Sequence, residues 1–236
     1  MNKITKDDYY NLCFAIARRV DGFSIKYKNE SVFQKIIGVL LFFNKEYMRS
    51  YTTTIGKTVY FTSRDFVNKN LDEAFEILSH EYVHLLDRYN APGLFEVLYL
   101  FPQFFAVFSL FSLLAIWFSP WWLMCLLFLV CAMPLPAPYR AALEMRAYAM
   151  SMAVEYWMTG SVSDTLKGKI RSAFTGWSYY KMLTNTEQVD AWIALHETMI
   201  QNVDKAGDHV DIFSVSDGAF SDVYNVLTGI EDQDGF

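Results

Sequence analysis

The run Ser79-His80-Glu81-Tyr82-Val83-His84-Leu85-Leu86 decides how this chain is read. Two histidines four apart on a helix lie on one face, near enough for both imidazoles to bind a single metal ion. A glutamate directly after the first histidine points to the open side of such an ion. There it can take a proton from a bound water and later give it to a leaving group. The surroundings predict a helix. Asn68 or Asn70 can cap its start, Asp72 and Glu73 sit in the first turn where the macrodipole favours acids, and Asn90-Ala91-Pro92-Gly93 stops it. Leu71, Phe75, Leu78, Val83, Leu85 and Leu86 give it the broad apolar surface that a buried helix needs.

A catalytic zinc ion takes three protein ligands and one water. His80 and His84 supply two, and Glu144 is the strongest candidate for the third. It lies in Tyr139-Arg140-Ala141-Ala142-Leu143-Glu144-Met145-Arg146-Ala147-Tyr148-Ala149, a stretch of strong helix formers whose small residues allow a second helix to come close. A structural role competes, in which Glu144 pairs with Arg140 one turn earlier. His196 shares a helical face with Val189, Trp192, Met199 and Val203, the pattern of a satisfied core histidine, and stands in reserve as third ligand or oxyanion donor. Tyr179 and Tyr180 could offer a phenol to a developing oxyanion. His209 lies in a polar stretch and reads as exposed.

His-Glu-x-x-His followed at a distance by Arg-x-x-x-Glu-x-Arg-Ala resembles the gluzincin zinc metallopeptidases, and within them the M48 group of HtpX and CAAX-prenyl proteases. In that group the second motif commonly reads Glu-x-x-Ala-Asp. Here it is Glu144-Met145-Arg146-Ala147-Tyr148, so a tyrosine stands where the resemblance implies an aspartate that orients a metal-binding histidine. The resemblance covers about residues 50–160. It implies a zincin-like catalytic domain, zinc as cofactor, and residues 57–62 as an edge strand. Val59, Tyr60 and Phe61 of that strand would hold a substrate chain extended.

The connection between His84 and Glu144 is long for a compact soluble gluzincin, and its composition explains why. Residues 97–139 contain no charged side chain. A span of about 20 apolar residues crosses a bilayer. Residues 94–118 suffice for one crossing, Ser119-Pro120 makes a break, and residues 121–137 return, with Trp117, Trp121 and Trp122 clustered at the break as an interfacial belt. Such a hairpin leaves and re-enters on one side, bringing Glu144 back to the histidines. The M48 membrane proteases are similar in carrying two membrane helices between their metal motifs. A soluble core hairpin or an oligomer interface is the alternative.

Composition agrees with a catalytic domain carrying a membrane insert. Mean hydropathy is +0.14 and 53% of residues are hydrophobic, high for a soluble protein and low for one that is membrane throughout. A net charge of −6 without a basic stripe argues against nucleic acid as a partner. Three cysteines, two of them inside the apolar run, make no disulfide framework. Residues 1–8 lack the apolar core of a signal peptide. Arg88, Arg140 and Arg146 flank the hairpin, in keeping with a catalytic domain that faces the cytoplasm.

Helices are expected at residues 7–20, with Tyr10, Phe14 and Ala17 on one face, and at 31–43, either on the membrane surface or packed under the catalytic domain. A β-hairpin is expected around Gly56. The ligand helix runs to Gly160, helices follow at 167–183 and 187–204, and residues 217–236 fray. The fold class is therefore mainly α with a small β-hairpin or sheet (α+β). One catalytic domain, residues 1–93 with 139–236, carries a transmembrane helical hairpin at 94–138. The function expected is a membrane-embedded zinc endopeptidase acting on protein or peptide substrates near the bilayer, with Glu81 as general base. The alternative is an inactive membrane-anchored scaffold or partner-binding protein that retains the metal site.

Overall fold

The computed structural model describes residues 3–40, 47–49, 51–133, 135–176, 181–206 and 218–229. They form a mainly helical chain with one three-stranded sheet, the α+β class that the sequence implies. The chain divides into two compact units. One comprises Met1–Asn90, Ala147–Val162 and Glu197–Phe236; the other comprises Ala91–Arg146 and Ser163–His196.

In the first unit, α1 (Lys6–Arg19) begins with a capping box between Thr5 and Asp8. It buries Tyr9, Leu12 and Ile16 and leaves Tyr10 and Phe14 exposed, so the expected apolar face is corrected by about a third of a turn. Strand β1 (Ser24–Tyr27) follows, then α2 (Val32–Leu40). Helix α2 is inside out: the polar Gln34 is buried and bonded by the Tyr47 hydroxyl, while Val32, Phe33, Ile36 and Val39 are exposed. It therefore does not pack its apolar stripe under the domain.

Strands β2 (Thr53–Ile55) and β3 (Thr58–Phe61) make the expected antiparallel hairpin. Gly56 supplies the positive φ of +60° that its two-residue turn requires. Strand β1, which sequence reading missed, pairs parallel with β3 from Ser24–Thr58 to Tyr27–Phe61. The strand order β1-β3-β2 makes β3 the middle strand. This corrects the expectation that Val59, Tyr60 and Phe61 form a substrate-binding edge. Val59 and Tyr60 have strand partners on both sides, Phe61 pairs with β1, and all three side chains are buried. The lateral edges belong to β1 and β2.

A short helix, α3 (Arg64–Lys69), leads into α4 (Leu71–Asn90), which carries the His-Glu-x-x-His run. Helix α4 buries Phe75, Leu78, Tyr82, Val83 and Leu85 in a core that includes Leu12 and Ile16 of α1. The last element of this unit, α9 (Ala219–Thr228), buries Phe220 and Val223. The expectation that everything beyond residue 217 frays is corrected by this packing.

In the second unit, α5 (Leu94–Leu100) ends at Phe101, which is extended ahead of Pro102, and the chain turns by 88° into a 3₁₀ helix at Gln103–Ile116. A second 3₁₀ helix at Pro120–Ala132 folds back against it. Side chains three apart eclipse in a 3₁₀ helix. Phe105, Phe108 and Phe111 accordingly form one row, with centroids 6.0 and 5.8 Å apart. That row meets the second limb where Phe108 faces Phe128 and Phe111 faces Trp122, an antiparallel pairing.

A helical hairpin thus fills the uncharged stretch, but the single crossing expected over residues 94–118 is corrected to a bent pair. Pro102 lacks the amide that would continue α5 and disfavours helical backbone at Phe101. Among the described residues no single helix is long and apolar enough to cross a membrane; α5 and the first limb reach that length only together. Most of the large apolar side chains of both limbs are exposed, including Leu110, Ile116, Trp121 and Leu127.

Pro138 occupies the first turn of α6 (Pro138–Thr159), where a missing amide costs nothing, and Gly160 at φ +82° ends it. Beyond it lie α7 (Asp164–Thr175) and α8 (Thr186–Ala206).

Candidate metal centre

Helix α4 holds His80 and His84 one turn apart, with ring centroids 5.1 Å apart and planes at 76°. The opposite side of the same turn is anchored in the core. Tyr82 is fully buried, and its hydroxyl donates to Asp222 Oδ2 on α9 at 2.6 Å. Burial, and then the Asp222 charge, push the Tyr82 phenol far above its ordinary range, so it stays protonated as a donor. Arg19 of α1 completes the bridge with two bonds to Asp222, 2.5 and 2.9 Å long. Two helices distant in sequence, α1 and α9, thus fix the rotation of α4 about its axis.

Helix α6 presents Glu144, Tyr148 and Ser151 at i, i+4 and i+7, one stripe of a 3.6-residue helix. Tyr148 sets its ring edge-on to His80 at 4.8 Å, and Ser151 Oγ lies 3.3 Å from His80 Nδ1. One turn before Tyr148 on this unbroken helix, Glu144 is buried. Ligand atoms of His80, His84 and Glu144 all lie within 4.8 Å of one another. Atoms bound to one zinc-sized ion through bonds of about 2.1 Å are at most about 4.2 Å apart. The set is therefore within a small side-chain rotation of closing on one ion, and two imidazoles with a carboxylate are a fitting donor set for it.

Glu81 is half-buried. Its Oε2 accepts from Thr54 Oγ1 on β2 at 2.7 Å, which places the outer strand of the sheet beside the candidate base. Lys28, fully buried just past β1, donates to the Tyr47 carbonyl at 2.8 Å and lies 3.8 Å from that ring's centroid. Burial pulls its ammonium down to about 8, against the opposing pull of the Glu81 charge.

On α5, the Tyr99 hydroxyl donates to Glu144 Oε1 at 2.5 Å. Arg140 donates from Nε to the Tyr99 carbonyl at 2.8 Å and stacks its guanidinium over the Tyr99 ring.

Of the residues singled out by sequence, His80, His84 and Glu144 come together, with Glu81 beside His80 on α4 and Tyr148 against its ring. His196 is buried on α8, with Nδ1 2.8 Å from the Trp192 carbonyl one turn earlier and its ring on Trp192. Burial lowers its pKa. It takes the core role and is outside the ligand cluster found among the described residues. Tyr179, Tyr180 and His209 lie outside the described residues. Sequence reading missed Ser151, Thr54, Lys28 and Tyr99. Ser151 was within reach, since it stands seven residues after Glu144 on the same expected helix; the other three carry no local signal.

Comparison with protein-family models, with curated proteins and with solved structures finds no match for this chain.

Proposed function

We propose that this protein is a membrane-associated zinc-dependent endopeptidase of gluzincin type, with Glu81 as general base. The observation that carries the reading is the convergence of His80, His84 and Glu144 in a chain that retains a glutamate directly after the first histidine. A structural site needs no general base. When bound, zinc would lower the pKa of a water toward about 7 and polarise a substrate carbonyl. The chain's own residues do the rest. Glu81 takes the proton of the attacking water and returns it to the leaving amine. Thr54 holds the Glu81 carboxylate through Oε2 until substrate arrives. Ser151, at Nδ1 of His80, would orient that ring as a ligand. The backbone of β2 offers the lateral edge beside Glu81 to which an extended peptide can add as a further strand.

The substrate class is protein or peptide near a bilayer, and lipid is the environment we assign to the hairpin. The hairpin's first limb reaches the length and apolarity of a crossing only together with α5, across a bend of 88°. Its exposed apolar surface would drive aggregation in water. The exposed apolar stripe of α2 supports the same environment, and the flanking arginines favour a metal domain on the cytoplasmic side.

A second reading, a membrane-anchored scaffold that keeps the metal but not the activity, is favoured by Tyr148. Its ring packs on His80 where the resembled family carries a charged partner. Zinc analysis with casein or self-cleavage assays on wild type and Glu81→Gln separates the two. The peptidase reading expects both proteins to hold zinc and only the wild type to cleave. Equal inertness with zinc retained would favour the scaffold.

A further inference from the structure

Glu144 is a buried carboxylate, and a hydrogen bond to such a ligand fixes its orientation. Tyr99 takes Oε1 through a short bond of 2.5 Å, of the kind made to a charged acceptor. The tyrosine is itself held on three sides. Phe95 stacks on it with centroids 5.5 Å apart and planes at 20°, the Arg140 guanidinium lies 4.9 Å from the ring centroid on the Tyr99 side, and Arg140 Nε binds its carbonyl. One residue later α5 ends at Leu100, and Phe101 packs edge-on against Tyr139 at 5.6 Å. The root of the apolar hairpin and the start of the ligand helix are stitched together at Tyr99.

We infer that Tyr99 is a positioning residue for the metal: by holding one oxygen of Glu144 it fixes the orientation of that carboxylate, and it ties metal affinity to the root of the hairpin. This rests on the reading that His80, His84 and Glu144 hold zinc. Without the phenol, the carboxylate would turn more freely about its terminal torsion, which is soft. Groups that orient metal ligands in this way typically cost 10–100-fold in affinity when removed.

The test uses the full chain in detergent micelles. Zinc affinity is measured by chelator competition, the ligand field by the visible spectrum after cobalt substitution, and folding by the thermal midpoint of the metal-free protein. Tyr99→Phe, which removes only the hydroxyl, should lower zinc affinity at least about tenfold. It should also alter the cobalt spectrum and leave the metal-free midpoint near that of the wild type. Combined with Glu144→Gln it should lose no more affinity than Glu144→Gln alone, because both changes break one interaction. An unchanged affinity and spectrum would overturn the role of Tyr99 while the zinc reading stands. So would a lower metal-free midpoint with an unchanged cobalt spectrum, which would mark Tyr99 as a structural stitch only. A wild type that binds no zinc would defeat both.

Discussion

Tyr82, the central residue of the His-Glu-x-x-His run, donates its hydroxyl to Asp222 at 2.6 Å across 140 positions of sequence. The candidate metal face of α4 is aimed by what its opposite face grips. Asp222 accepts from Tyr82 and twice from Arg19, so one carboxylate on α9 serves as the hub for α1 and α4.

Asp222→Ala should therefore lower stability by about 2–3 kcal/mol, since it leaves the buried Tyr82 hydroxyl without its acceptor. Tyr82→Phe should cost less, about 1 kcal/mol, because Asp222 keeps both arginine bonds. Thermal or urea unfolding in detergent measures both, and the reverse order would contradict the hub.

Changing His80 or His84 to alanine should strip zinc, and Glu144→Gln should weaken it substantially, because an amide is a poor ligand for the ion. Ser151→Ala should cost about tenfold through the lost contact with His80 Nδ1. His196→Ala should leave occupancy unchanged. Metal content after dialysis reads all four. Full occupancy in Glu144→Gln with loss in His196→Ala would reassign the third ligand.

Lys28 makes a pH-dependent contribution of definite sign. Its ammonium is depressed from 10.5 to about 8 in the folded chain. The unfolded chain therefore binds the proton more tightly, and burying the charge costs stability below about pH 8. That cost fades as pH rises toward the unfolded value, a gain of up to about 3 kcal/mol. Against Lys28→Met, which lacks the group, the wild type should gain relative stability between pH 7.5 and pH 10 by urea unfolding. A difference that stays flat over this interval would mean that the ammonium is not desolvated.

For the hairpin, cysteines are introduced singly into a chain in which Cys13, Cys125 and Cys131 are replaced by alanine. Asn90→Cys and Tyr139→Cys should label from one side of the membrane and Ser119→Cys from the other. The proposed metal centre requires both roots on one side, since it joins Glu144 to the histidines. Release of the protein by alkaline carbonate without detergent would remove the membrane from the proposal and leave the metal centre untouched.

What the sequence determined by itself is periodic and local. His80 and His84 share a face because four residues make about one turn. Residues 71–90 form a helix because apolar spacing, early acids and a Pro-Gly stop agree over its whole length. Gly56 marks a hairpin because its turn demands a positive φ. Glu144 was legible as a carboxylate on a second helix and as the candidate third ligand that the hairpin returns to the histidines; the particular contacts of Tyr148 and Ser151 with the His80 ring came from the packing of the two helices. The tertiary structure alone decided the rest. A four-residue strand, β1, has too little sequence to announce itself, yet its pairing moved β3 from the edge to the middle of the sheet. Pro102 was visible, but how far it bends the apolar run depends on what the two limbs find to pack against. Thr54 beside Glu81, Tyr99 on Glu144 and Asp222 under Tyr82 join residues 27, 45 and 140 positions apart, and no local preference encodes contacts of that range.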